Sequence, residues 1–183
     1  TSGLPAWIPL YEKLSETFQT QELYRFSVED RQRAAREVIF QVECEKRPGE
    51  DVVYSDIGFW ILGFVIEDLF GIPLDQATQR YVWAPLEIER SYFHRVRKSV
   101  KEDVHPHVVA TEECPWRGGV LQGQVHDDNC WAMGGYAGHA GVFGPMEDLF
   151  RWIRGLTRNF ISQKTLSDVW NQRVDLPGGR RTL

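Results

Sequence analysis

From Ile57 to Phe70 nearly every position is apolar, with Trp60, Leu62, Phe64, Ile66 and Leu69 spread all round a helical wheel. A helix without a polar face must be enclosed by other elements or by lipid. The run is too short to cross a bilayer, and Glu67 and Asp68 interrupt it, so it is predicted to be the core helix of a larger packing. Ser55 or Asp56 is the candidate N-cap. Gly71 supplies a left-handed stop, and Pro73 blocks continuation.

The partners of that helix must come from a chain of 183 residues, 42% hydrophobic and 13% aromatic. This is one globular domain's worth of sequence with apolar mass for a core, which excludes a disordered chain. Thr1 to Tyr24 reads as a loop followed by a short helix. Ser27 offers an N-cap, with Glu29 and Asp30 in the first turn. Ala34, Ala35, Val38, Ile39 and Val42 then give an amphipathic helix of about four turns that Pro48-Gly49 ends. A further helix, about Leu74 to Trp83, stops before Pro85. Pro145 is a good first helical residue, and Met146, Leu149, Phe150, Ile153, Leu156 and Phe160 form the predicted buried stripe after it. A last helix starts near Ser162 and fades by Leu176, leaving Pro177 to Leu183 as a tail.

Lys and Arg number 21 against 26 Asp and Glu, a net charge of −5. Nucleic acid is therefore not expected as the main partner, because neutralising phosphates needs clustered cations. The one basic cluster, Arg95, Arg97, Lys98 and Lys101, precedes Glu102 and Asp103 and reads as a solvated loop. Cys44, Cys114 and Cys130 lie far apart without C-x-x-C spacing, so no disulfide framework is expected. Cys114 and Cys130 read as small buried side chains. Thr1 is not an initiator Met and no export signal follows it, which suggests a removed start or a piece of a longer chain. No transmembrane segment is expected.

From Glu89 to Gly144 the pattern changes to His, Gly, Pro and charge, with only short β-like pieces such as His107–Ala110 and Gly119–Leu121. Irregular segments of that length in compact proteins tend to carry function. Tyr54 is the other candidate. A phenol is a poor base near neutrality, but one placed just before a helix sits near unpaired N–H groups and the positive end of the helix dipole.

Tyr54-Ser55-Asp56-Ile57-Gly58, preceded by Pro48-Gly49-Glu50, resembles the second motif region of the serine beta-lactamase and penicillin-binding protein family, in the branch close to class C enzymes. Thr1-Ser2-Gly3-Leu4-Pro5 is similar to the end of that family's "HTSGLP" loop. Ala110-Thr111-Glu112, Trp116-Arg117, Gly123 to Asn129 and Gly134 to Phe143 resemble a run found in its D,D-carboxypeptidase and esterase subgroup. The resemblance is nearly end to end. It implies an α/β (α+β) beta-lactamase/transpeptidase-like fold, to which residues 1–183 contribute mainly the helical lobe and its loops, with part of the sheet missing and the domain incomplete at both ends. The apolar helix would then lack part of its cover, and a patch of that kind promotes association.

By the same resemblance the parent is a serine hydrolase that works through an acyl-enzyme, a D,D-carboxypeptidase, beta-lactamase or esterase taking a small-molecule or peptidoglycan-derived acyl substrate. The cell envelope or periplasm is the implied location. Tyr54 maps onto the proton-shuttling Tyr of Y-x-N. Asp56 stands at the Asn position, where an ionised carboxylate accepts hydrogen bonds and cannot donate them. Reading each Ser with its third neighbour finds no S-x-x-K in the chain, so the nucleophile is expected upstream and the K-T-G or H-x-G strand downstream. His139-Ala140-Gly141 matches H-x-G formally, yet its place before Pro145 resembles a separate "GHAG" loop.

His126, Asp127, Asn129, His139 and Arg117 are the candidate substrate-binding residues. Arg117 could clamp a terminal carboxylate by two parallel bonds, and a surface ion pair with Glu112 or Glu113 is the plainer expectation. No cofactor and no metal are expected, the histidines serving to fix an irregular loop. Two alternatives remain open: a zinc hydrolase using His105, His107, His126 and Asp127, ligand types that suit Zn²⁺, and a non-catalytic ligand-binding module.

Overall fold

In a computed structural model, which describes residues 2–158, 160–171, 173–176 and 179–182, helix α1 (Leu10–Phe18) follows Pro9 and stops at Gln19, a left-handed residue with φ 55°. Helix α2 (Val28–Ile39) starts where Ser27 accepts the Asp30 N–H at 3.0 Å. It ends at Phe40, well short of Pro48. The residues expected to extend it dock elsewhere: the N–H groups of Glu45 and Lys46 both bond the carbonyl of Gly3.

The apolar run forms helix α3 (Asp56–Phe70), capped by Ser55 and closed by Gly71 at φ 67°. Glu67 and Asp68 lock it to its neighbours. Arg36 of α2 pairs with Glu67 at 2.9 Å and Asp68 at 3.0 Å, and Glu67 also accepts the Leu74 N–H at the start of helix α4 (Leu74–Thr78). A π-helical turn, Gln79–Trp83, continues α4. Among the described residues no single helix is long and apolar enough to cross a membrane.

The irregular segment holds strands β1 (Tyr92–Phe93), β2 (Glu113–Cys114), β3 (Gly119–Val120) and β4 (Val142–Phe143), with helix α5 (Asp128–Ala132) between β3 and β4. Strand β1 pairs antiparallel with β4, and β2 with β3. The β-like reading of His107–Ala110 is corrected, since these residues form no ladder. Arg95 is not a solvated loop residue either. It bonds Asp75 at 2.7 Å and Glu29 at 3.2 Å, which ties this segment to α4 and α2.

Leu10 and Leu14 from α1, Ala35 and Ile39 from α2, Ile57, Trp60 and Phe64 from α3, and Cys130 and Trp131 from α5 pack as one core. Arg31 enters this core with no carboxylate. Its guanidinium donates to the carbonyls of Val96 and Trp131, and burial pushes its pKa down to about 10. The buried guanidinium thus holds the irregular segment to α2.

Helix α3 is covered on one side only. Phe59, Leu62, Val65, Ile66 and Phe70 are exposed, and Leu69 is 77% exposed. Helix α6 (Met146–Thr157) corrects an expectation, because Met146, Leu149, Phe150 and Ile153 of its supposed buried stripe face outward. A polar residue sets the orientation. Asp148 is buried and accepts the Arg90 N–H at 2.9 Å and the Ser91 hydroxyl at 3.0 Å, so α6 hangs on β1 by its charged side.

Helix α7 (Gln163–Asn171) ends earlier than expected. Strand β5 (Arg173–Leu176) follows and pairs with β6 (Gly179–Thr182), where a helix end and a tail were predicted. The alternating Arg173-Val174-Asp175-Leu176 carries the two-residue period of a strand. Pro177, Gly178 and Leu183 of the expected tail, like Thr1 of the resembling loop, lie outside the described residues.

Candidate active site

Tyr54 stands one residue before the cap of α3, 60% exposed, with its ring 6.2 Å from that of Phe59. Its backbone neighbours are firmly held. The Ser55 hydroxyl donates to the Pro5 carbonyl at 2.6 Å and accepts the Gly58 N–H, while the Asp56 N–H donates to the Ala6 carbonyl at 3.0 Å. The Leu4–Ala6 stretch therefore clamps the start of α3, and Asp56, half-buried, occupies its first turn.

One turn into α3, the Trp60 indole N–H donates to His139 Nδ1 at 2.8 Å. That bond fixes the tautomer: Nε2 carries the proton and donates to Asp127 at 3.0 Å. Asp127 also caps α5 by accepting the Cys130 N–H at 2.7 Å. A continuous chain of bonds thus runs from α3 through the 134–141 loop to α5. The loop can come so close because Gly138 has no side chain, and a Cβ there would lie 2.0 Å from the Phe59 carbonyl oxygen. Sequence reasoning took Trp60 only as core. Its signal was the lone N–H donor in a helix otherwise lined with hydrocarbon.

Burial works to raise the Asp127 carboxyl, but hydrogen bonds from His139 and the Cys130 N–H, with the Arg117 charge nearby, outweigh it and hold the group below its usual range. A depressed carboxyl contributes stability above its unfolded pKa of about 4 and loses it as pH falls through the folded value. The Asp127→Asn chain is therefore expected to lose less of its Tm than the parent between about pH 5 and pH 3. Thermal melts across that range check this, and parallel curves would remove Asp127 from the acid response.

Two of the candidate substrate-binding residues lie inside the fold. Asn129 is buried, and its amide accepts the Tyr11 N–H and donates to the Ile8 carbonyl, each at 3.0 Å. Arg117 makes no surface pair with Glu112 or Glu113. Its side chain is fully buried between Trp116 and Trp131, donating to the carbonyls of Val125 and His126 and pairing with Asp128. The Asn129 amide and the two terminal nitrogens of Arg117 are thus engaged inside the fold. The His139 ring is likewise held inside, its side chain 5% exposed. Cys114 and Cys130 are buried, and burial pushes the Cys130 thiol well up, against any nucleophilic role.

His126 is exposed, 3.8 Å from Glu112. It lines a cleft of about 770 Å³ with Tyr92, His107, Thr111, Asp127 and Phe143. A second cleft, also about 770 Å³, lies between α3 and α6 and is lined by Leu62, Ile66, Trp83, His139 and Trp152. Ala140, Gly141 and Val142 belong to both walls, and Tyr54 lines neither. The zinc set His105, His107, His126 and Asp127 is not assembled. Among the described residues, the one group with ligand atoms within 4.8 Å of each other is His94, Asp103 and His105.

Solved structures share this architecture. A penicillin binding protein from Bacillus halodurans superposes with a TM-score of 0.61 at 16% identity, over 93% of this chain and 48% of that one. A D-stereospecific amidohydrolase from Streptomyces sp. gives 0.63 at 17% identity, over 96% and 49%. The fold is thus the mixed α/β fold of the beta-lactamase and transpeptidase class. The sequence profile of the Beta-lactamase family matches residues 1–180, and the chain belongs to that family, whose members are serine hydrolases.

A protein of Salmonella heidelberg (strain SL476), named "Putative D-alanyl-D-alanine carboxypeptidase", is 35% identical over 125 residues, 62% of this chain and 28% of that protein. Its counterpart in Salmonella newport (strain SL254) is 34% identical over the same shares. The chain spans between a quarter and a third of the length of these curated relatives, and about half of the solved chains.

Proposed function

We propose that this chain supplies the proton-relay phenol, Tyr54, of a serine hydrolase that cleaves a D-aminoacyl amide or ester through an acyl-enzyme, with Asp56 as supporting partner. The carrying observation is the exposed Tyr54 side chain at the head of the half-buried helix α3, with Asp56 two residues on, in a member of the Beta-lactamase family. The acylated Ser and its Lys come from polypeptide outside these residues, because no Ser here has Lys at its third neighbour. The D-configured substrate is supported by the names of the D-alanyl-D-alanine carboxypeptidase relatives and of the D-stereospecific amidohydrolase. His126 and Asp127 stand at the cleft beside β1 and β4 and serve as its polar wall.

Fluorescent penicillin and a fluorophosphonate test this on two proteins, the 183-residue chain and a version extended by its flanking genomic sequence. The extended protein is expected to label on Ser, with D-Ala-D-Ala peptide competing, and the chain alone to stay unlabelled. An adduct on the chain alone would overturn the external nucleophile. Reversible binding without an adduct on the extended protein would make this a ligand-binding module instead.

A further inference from the structure

We propose that His94, Asp103 and His105 bind one divalent transition-metal ion of the zinc type, which closes the segment between β1 and β2 on itself. The three side chains offer two imidazole nitrogens and a carboxylate, the ligand set that zinc takes when a fourth position stays open to water. Asp103 Oδ1 lies 3.3 Å from His105 Nε2, and Oδ2 lies 2.7 Å from His94 Nε2. Tetrahedral zinc bonds place ligand atoms about 3.3 Å apart. The two distances run to different oxygens of one carboxylate, and a turn of that carboxylate brings a single oxygen to both nitrogens, since one ligand atom from each of the three side chains already lies within 4.8 Å of the others.

Each ligand is held by a different part of the scaffold. The His94 carbonyl lies where a Cβ on Gly135 would come within 2.0 Å, so the backbone there rests on the turn after α5. The His105 N–H bonds the Gln122 carbonyl at 2.9 Å, and its ring fills the space beside Gly123, where a Cβ would meet the ring at 2.4 Å. Asp103 accepts from the Gln124 amide at 2.9 Å. Gln124 is itself buried and fixed, donating to the Lys98 carbonyl and accepting the Trp131 indole N–H. This is the outer support that orients a metal-binding carboxylate. The His105 side chain is 36% exposed and gives an ion a way in.

The ion would act structurally. Residues 94–124 contain only the two-residue strands β2 and β3, so their order depends on side-chain ties such as this one. Its ligands differ from the set read from the sequence, sharing only His105 with it. The site shares no residue with the proposed catalytic pair Tyr54 and Asp56, and its test does not depend on the hydrolase reading.

The chelator-stripped chain is titrated with Zn²⁺ by calorimetry and with Co²⁺ by visible absorption. One equivalent is expected to bind, with intense d–d bands for Co²⁺ and a Tm that rises with Zn²⁺. Asp103→Asn and His105→Gln should each weaken binding by at least about tenfold, the loss that even a supporting residue causes, and abolish the Tm rise. The double variant His107→Gln with His126→Gln should bind as the parent does. His105→Gln, on the exposed edge, carries the test if Asp103→Asn fails to fold. No saturable binding by the parent, unchanged binding in His105→Gln, or loss of binding only in the His107/His126 double variant would overturn the proposal.

Discussion

Tyr54→Phe, made in the extended protein that carries the serine, is expected to lower the acylation rate by about 10²–10⁴-fold, the usual contribution of a positioned proton-transfer group. The fold is expected to persist, because the ring is 60% exposed and its contact with Phe59 is kept. Stopped-flow acylation by a chromogenic ester reads the rate, and far-UV circular dichroism reads the fold. A rate within a factor of two of the parent would retire Tyr54 as the relay while leaving the family and fold in place.

The largest expected stability change lies at Trp60. Replacing a buried Trp with Ala costs about 3–5 kcal/mol, and Trp60 is 1% exposed at the centre of the core. Trp60→Phe keeps a six-membered ring in the core and removes the N–H that the buried His139 accepts, so about 1–3 kcal/mol is expected from the unpaired imidazole nitrogen and the space left behind. Urea unfolding of both variants separates packing from bonding. A neutral Trp60→Phe would mean that the close approach at Gly138 holds the 134–141 loop alone.

The parts of the fold that declare themselves in sequence are those governed by local rules. Ser27, Ser55 and Gly71 stop and start helices as their chemistry requires, and the all-apolar α3 has its acids where α2 and α4 can pair with them. Faces were harder to read. The stripe of α6 has helical period, but which way it points is decided by Asp148 bonding to residues far away in the chain. Arg117 was misplaced for a similar reason. A nearby Glu112 makes a surface pair plausible on spacing, whereas two tryptophans and Asp128 form a buried slot that exists only after folding. Tyr54, Asp56 and His126 are candidates through the resemblance of the residues around them. The Trp60–His139–Asp127 chain joins residues far apart in the chain and could not be read from spacing. The same holds for His94 with Asp103 and Gln124.

The contact at Gly138 also has a practical use. A reporter peptide spliced between Gly134 and Gly141 would have to lever the loop off α3, whereas the exposed turn at residues 47–50, beyond the contact of Glu45 and Lys46 with Gly3, offers room for one. Protein engineers who want an affinity handle or a fluorophore on this polypeptide should place it at the turn, where lengthening the backbone disturbs no buried partner.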